Sequence, residues 1–176
     1  MEYLQIDQFH LVGVAGGGFA AYDYVLWHPE RLRSMVVAAS GGAIVDDELS
    51  KLREKTALPG FRGWPPEFRE VSMGYMATNP EGLKRWLEIH HHSQQKGAPA
   101  QPQRTTITFA KLATIRVPTL LMPGDQDLQA PPWVMRRQLA HIPGAQFIVL
   151  PEAAHSINWE QPEAFNRNVL DFIRAH

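Results

Sequence analysis

Carboxylates, histidines and serines are the side chains through which this sequence could do chemistry. Asp125 and Asp127 stand in "VPTLLMPGDQDLQAPP", just past an apolar run that ends at Gly124, and His155 stands in "AQFIVLPEAAHSINWEQPEAF", just past the next such run. An imidazole held and oriented by a buried carboxylate is a general base. From sequence either aspartate could be the acid; Asp127 is favoured, with Asp125 as a turn residue that steadies the loop. Ser156, next to His155, reads as a solvent-facing hydroxyl rather than a nucleophile, because adjacent loop side chains diverge. The run His90, His91, His92 invites a metal reading, but successive helix positions are about 100° apart and cannot converge on one ion. It reads as a polar helix end. With no cysteine in the chain, disulfides, thiolate metal sites and cysteine nucleophiles are excluded, and neither a metal nor another cofactor is expected.

A second feature is the turn in "FHLVGVAGGGFAAYDYVLWHPERL", where an apolar run meets glycines and then a helical pattern, with Ala15 at its centre. A phosphate-binding turn is one reading, since a helix N-terminus attracts anions. "GVAGGG" is neither GxGxxG nor a P-loop, and the next run ends at "AAS" without the acid that a dinucleotide ribose requires. The phosphate reading is therefore set aside.

The elements that must position these residues follow from periodicity. "FHLVGVA", "LRSMVVAAS", "VPTLLMPG" and "AQFIVLP" are short apolar runs without alternation, the pattern of strands buried on both faces of a parallel sheet. Helical spacing follows them at Phe19, Tyr22 and Leu26, at Met135, Leu139 and Ile142, and at Phe165, Val169 and Phe172. Strand, helix, strand in this rhythm predicts an α/β layer fold. Residues 1–40 and 111–176 supply the core. Residues 41–110 break the rhythm with "DDELSKLREK", "GFRGWPPEFRE", "EGLKRWLEIHHHS" and the polar "QQKGAPAQPQRTT", and predict a helical lid. Leu83, Trp86, Leu87 and His90 make one apolar face that should lie on something. Trp64, Trp86 and Trp133 read as core or lid packing, and Trp159 as packing beneath the His155 loop.

Taken in order, the strand and glycine turn, the lid, "PTLLMPGDQD" and "AAHSINWEQPEAFNRNVLDFI" resemble the carboxyl-terminal two thirds of an α/β-hydrolase, over essentially the whole chain. The resemblance implies a partial α/β-hydrolase fold: a mostly parallel sheet of about four strands, flanking helices and a helical lid insertion. It implies Asp127 as the triad acid, His155 as the triad histidine, Ala15 at the nucleophile position and the Gly16 N–H as one oxyanion donor. The sequence departs from the family at Ala15, where serine is usual, although Gly13, Gly16 and Gly17 keep the elbow's small flanks. Acyl-enzyme chemistry at residue 15 is excluded. It also departs ahead of the elbow strand, where only "MEYLQIDQ", read as the tail of a helix, stands in place of further strands and the loop with the second oxyanion donor.

Several functions follow as expectations. One is a hydrolase of a small, partly hydrophobic substrate that uses the His155–Asp127 pair without a covalent intermediate. Another is a non-catalytic ligand-binding or interaction member of the fold. A third is an esterase-like enzyme inactivated by a serine-to-alanine change. The elbow strand would be an exposed apolar edge, so a homo-oligomer, a complementing chain or a longer parent protein is expected to cover it. A net charge of -1 over 176 residues gives no electrostatic footprint for nucleic acid or an anionic membrane. No apolar run approaches the roughly 18 residues of a membrane span, and the opening residues lack the order of a secretory signal, so the cytoplasm is the expected compartment.

Overall fold

A computed structural model of the chain describes residues 2–93, 97 and 102–176. Its centre is a parallel sheet of β1 (Phe9–Val14), β2 (Leu32–Ala38), β3 (Thr119–Met122) and β4 (Gln146–Phe147), in spatial order β1-β2-β3-β4. The apolar runs lack alternation because both faces are covered. Met35 and Val37 of β2 and Leu121 of β3 enter one core cluster, with Tyr22, Val25 and Met135. Val36 and Ala38 of β2 and Leu120 and Met122 of β3 enter the other, with Ile157, Phe165, Val169 and Phe172. Each fully buried aliphatic side chain contributes about 1.5–3 kcal/mol through removal from water.

Helix α1 (Gly16–Trp27) crosses from β1 to β2, and α7 (Pro132–Leu139) from β3 to β4. Both pack on the first cluster. The buried face of α1 is Gly18, Ala21, Tyr22 and Val25, so Phe19, expected inside, is instead exposed. Small residues explain the rotation: Gly18 lies against Ser40 and Val37, which brings the helix close to the sheet on that side. A short helix, α8 (Ile157–Glu160), follows β4, and the last helix, α9 (Pro162–Arg174), buries the expected Phe165, Val169 and Phe172 on the second cluster.

Between β2 and β3 lie α2 (Asp47–Thr56), α3 (Pro66–Glu70), α4 (Met73–Thr78), α5 (Pro80–Ser93) and α6 (Phe109–Leu112), with no strand among the described residues. Most of "QQKGAPAQPQRTT" lies outside the described residues. Trp86 is the buried residue of α5. Ile107 and Leu112, at the end of this segment, are fully buried in the first cluster, so the insertion is tied into the core. Ahead of β1 the chain makes a single 3-10 turn, Glu2–Leu4, rather than a helix tail.

β4 pairs over two residues only, shorter than its apolar run suggests. Pairing resumes further on as a Gly124–Leu150 bridge, with Leu150 N–H donating to Pro123 O at 2.9 Å. β1 pairs with β2 alone, so its other edge carries no strand among the described residues. No helix of the described residues is long and apolar enough to cross a membrane.

Candidate active site

Because all four strands are parallel, their carboxyl ends share one edge of the sheet, and loops there are where such sheets keep their chemistry. Ala15 follows β1, Asp127 follows β3 and His155 follows β4.

The acid and the histidine meet. His155 Nδ1 lies 2.9 Å from Asp127 Oδ2. Asp127 Oδ1 accepts from the backbone N–H groups of Gln129 and Ala130 at 2.8 and 2.9 Å, the turn that leads into α7. The Asp127 side chain is 0% exposed and that of His155 13%, so the pair is shielded from water while the ring keeps one open side. Asp125 is exposed and instead accepts from Ala153 N–H at 3.3 Å, joining the two loops. Gly124 permits their approach: a Cβ there would run into the carbonyl oxygens of Ala153 and Ala154. Burial disfavours a charged His155 ring, while the hydrogen bond and charge of Asp127, with smaller contributions from Glu70 and Glu160, favour it. The balance holds the imidazole above its ordinary value.

The turn after β1 is sharp. Ala15 has φ 52° and ψ -118°, a conformation costing on the order of 1–3 kcal/mol for a residue with a side chain. Its N–H donates to Ala38 O at 2.9 Å, which pins the turn to the end of β2. Gly13 lets the turn close, since a Cβ there would meet Gly17 O. Gly16 opens α1, where helix N–H groups have no partner within the helix and are free to meet a ligand oxygen.

The segment between β2 and β3 grips the histidine loop at several points. Glu160, buried, accepts from Ser72 N–H at 2.8 Å through Oε2 and from Ala154 N–H at 3.0 Å through Oε1. Burial pushes its carboxyl up, against the pull of those hydrogen bonds. Ser156 N–H donates to Glu70 O at 2.8 Å. Trp86 Nε1 donates to Ser156 Oγ at 3.0 Å, so the expected solvent-facing hydroxyl is instead the acceptor for a tryptophan of α5. Sequence reasoning missed Glu160, whose signal was only its place one helical turn and a residue beyond His155.

Other side chains singled out from sequence stand apart from this pair. His90 stacks on Trp86, His91 sits edge-on to His90 and His92 Nδ1 donates to Glu88 O. Trp64 packs edge-on to Phe61, and Trp159 keeps its indole nitrogen buried without a hydrogen-bond partner. A cavity of about 1040 Å³ opens between the segment after β2 and the start of α7, with Leu128, Gln129 and Trp133 in its wall. Neither Ala15 nor His155 lines it; it adjoins the pair through the residues that follow Asp127.

Comparison with known proteins bears on this arrangement. The sequence profile of the Alpha/beta hydrolase family matches residues 2–168. A 2-hydroxy-6-oxononadienedioate/2-hydroxy-6-oxononatrienedioate hydrolase of Cupriavidus pinatubonensis is 26% identical, over 98% of this chain and 64% of the relative. A carboxylesterase of Bacillus subtilis is also 26% identical, over 98% of this chain and 60% of the relative. A solved esterase of Thermogutta terrifontis superposes with a TM-score of 0.78 at 22% identity, over 99% of this chain and 68% of that one. The chain thus spans somewhat less than two thirds of the length of the curated relatives it matches.

Proposed function

The chain belongs to the alpha/beta hydrolase family, and on that premise we propose that it is a hydrolase-type protein in which His155, oriented by Asp127, is the general base. The substrate is a small, partly hydrophobic carbonyl compound, an ester or a ketone whose neighbouring C–C bond is cleaved, in keeping with the named activities of the relatives. The observation that carries the reading is the buried Asp127 carboxylate: one oxygen is tied to two backbone donors and the other holds His155 Nδ1, leaving Nε2 for chemistry.

With a methyl group at residue 15 the reaction runs without an acyl-serine. For an ester, His155 Nε2 takes a proton from water as the hydroxyl oxygen bonds to the carbonyl carbon. The Gly16 N–H faces the resulting oxyanion. The C–O bond to the leaving group then breaks, and the alkoxide takes the proton back from the imidazolium. No cofactor enters this scheme. The test is turnover of a panel of short esters and vinylogous diketones by wild type and by His155→Ala. Loss of activity in the variant, together with indifference of wild type to serine-directed phosphonates, is expected. Unchanged turnover in His155→Ala would sink the reading.

Ala15 itself favours a second reading, a ligand-binding member of the fold without turnover. It predicts a melting shift that tracks ligand concentration with no product formed. We further propose that the open edge of β1, where Val12 is 38% exposed, pairs with a second copy or a complementing chain. Light scattering at micromolar concentration tests this; a well-behaved monomer would refute it.

A further inference from the structure

The feature that the His155–Asp127 chemistry leaves unused is Arg53. It lies on α2, and its Nε and Nη2 atoms are buried without any hydrogen-bond partner. A stranded guanidinium is costly, because desolvation is not repaid by a counter-charge. Burial accordingly pulls Arg53 below the usual arginine range. Arg137, by contrast, forms a bidentate pair with Glu48 at 2.9 and 3.3 Å. The two stranded nitrogens are not an arbitrary pair. Nε–H and one Nη2–H lie in the guanidinium plane, point the same way and form the side-on fork that matches the two oxygens of a carboxylate.

Arg53 also lines the cavity of about 1040 Å³, together with Arg62 and Arg69, and no aspartate or glutamate lines it. Its remaining wall is partly apolar, with Phe61, Leu128 and Trp133. The end of the guanidinium packs against Gly41, just past β2, where a Cβ would collide with Nη2. The pairing proposed below requires the fork to turn from Gly41 into the cavity about the terminal torsions of the side chain.

We propose that this cavity is an anion subsite for a small organic carboxylate, whose carboxylate pairs with Arg53 while its aromatic or aliphatic body lies against Phe61, Leu128 and Trp133. Gln129, whose N–H donates to Asp127, is also in the cavity wall, so the subsite adjoins the proposed catalytic pair. The assignment of that anion as substrate rests on the hydrolase reading; its binding does not.

Isothermal titration calorimetry with benzoate and with its neutral isostere benzamide separates the two. Wild type is expected to bind benzoate on the order of 10-fold more tightly than benzamide, the size of one charge-assisted pair. The preference should weaken at high salt, vanish in Arg53→Gln, survive in part in Arg53→Lys and persist unchanged in Arg85→Gln, an exposed control on α5. It should also persist in His155→Ala, so a failed hydrolase reading leaves this result intact. Without ligand, Arg53→Met should melt no lower than wild type. The proposal is overturned if wild type binds neither probe at millimolar concentration or shows no preference. It is equally overturned if Arg53→Gln keeps the preference, or if Arg53→Met melts lower, which would mark a structural arginine.

Discussion

Asp127→Asn separates the histidine's orientation from its support. Asparagine has the same shape, so its Oδ1 continues to accept from Gln129 and Ala130, and the fold cost is expected to stay near ~1 kcal/mol. Asp127→Ala strands both backbone donors and should cost about 2–5 kcal/mol. In the asparagine variant an NH₂ group faces His155 Nδ1. A neutral ring must then present its lone pair there and carry its proton on Nε2, the nitrogen proposed as base. In the serine-protease template such a reversal lowers turnover about 10⁴-fold, or ~5.4 kcal/mol of barrier. Titration shows the same change without any substrate. The wild-type ring is opposed by burial but raised overall by Asp127, so its folded value lies above the ordinary imidazole value of about 6.5. Removing the Asp127 charge leaves burial dominant over the weaker help of Glu70 and Glu160, and the value should fall below the ordinary one. The sign for stability follows: a raised folded value stabilises fully below about pH 6.5, and this is lost as pH rises through the folded value. The melting gap between wild type and variant should therefore be widest at the acid end and narrow upwards. Carbon-edited NMR of the His155 ring, assigned with His155→Gln and followed between about pH 5 and 8, reads the first effect, and thermal melts read the second. An unchanged ring titration in Asp127→Asn, or a wild-type ring that titrates below the ordinary value, would refute the reasoning.

Ala15→Ser should create an adduct with a serine-directed phosphonate and a burst of p-nitrophenol from a short acyl ester; absence of both would mean that Ala15 and His155 are not within reach of each other. Loss of the serine costs on the order of 10⁶ in turnover and loss of one oxyanion donor about 10²–10³, so a gain on the order of 10³–10⁴ is expected with Gly16 as the donor in hand. Glu160→Gln should cost about 1–3 kcal/mol, because an amide presents its NH₂ to one of the two N–H groups that the carboxylate accepts from. Burial holds the folded Glu160 carboxyl above its unfolded value, so its stabilising effect is full below about pH 4.3 and fades as pH rises through the folded value. The melting gap to Glu160→Gln should shrink over that rise, and a gap independent of pH would count against the assignment.

How far the sequence foretold this arrangement differed element by element. The parallel sheet was legible because Met35 and Val37 face one core and Val36 and Ala38 the other, which removes alternation from the run itself. The burial of Phe19 was misjudged because periodicity weighs apolar size, whereas α1 approaches the sheet along Gly18 and Ala21, where small size is what matters. β4 reads longer than it pairs, since apolar content reports burial and not hydrogen bonding. Asp125 and Asp127 were exchangeable on paper because both sit in one turn. The turn resolves them in space: the N–H groups of Gln129 and Ala130 can reach Asp127, and the loop after β4 delivers Ala153 to Asp125.

The residues that escaped sequence reasoning share a physical cause. Glu160 matters through two N–H groups from distant segments, Ser72 and Ala154, and Ser156 through an indole on α5, so each acquires its role only when the insertion folds back over the histidine loop. Arg53 is the extreme case, because what distinguishes it is a missing partner. In the string it is one basic residue in "DDELSKLREK", and the positions a helical turn away from it, Leu49, Ser50, Thr56 and Ala57, hold no acid. The nearest upstream acids have other partners, Glu48 pairing with Arg137 and Asp46 capping α2 through Leu49 N–H, and the Arg53 fork is left buried and unanswered. A half-buried cation with no acid a helical turn away and none in the cavity wall beside it is left to pair with a charge from outside the chain, which is why the benzoate and benzamide comparison bears on function and not on packing alone.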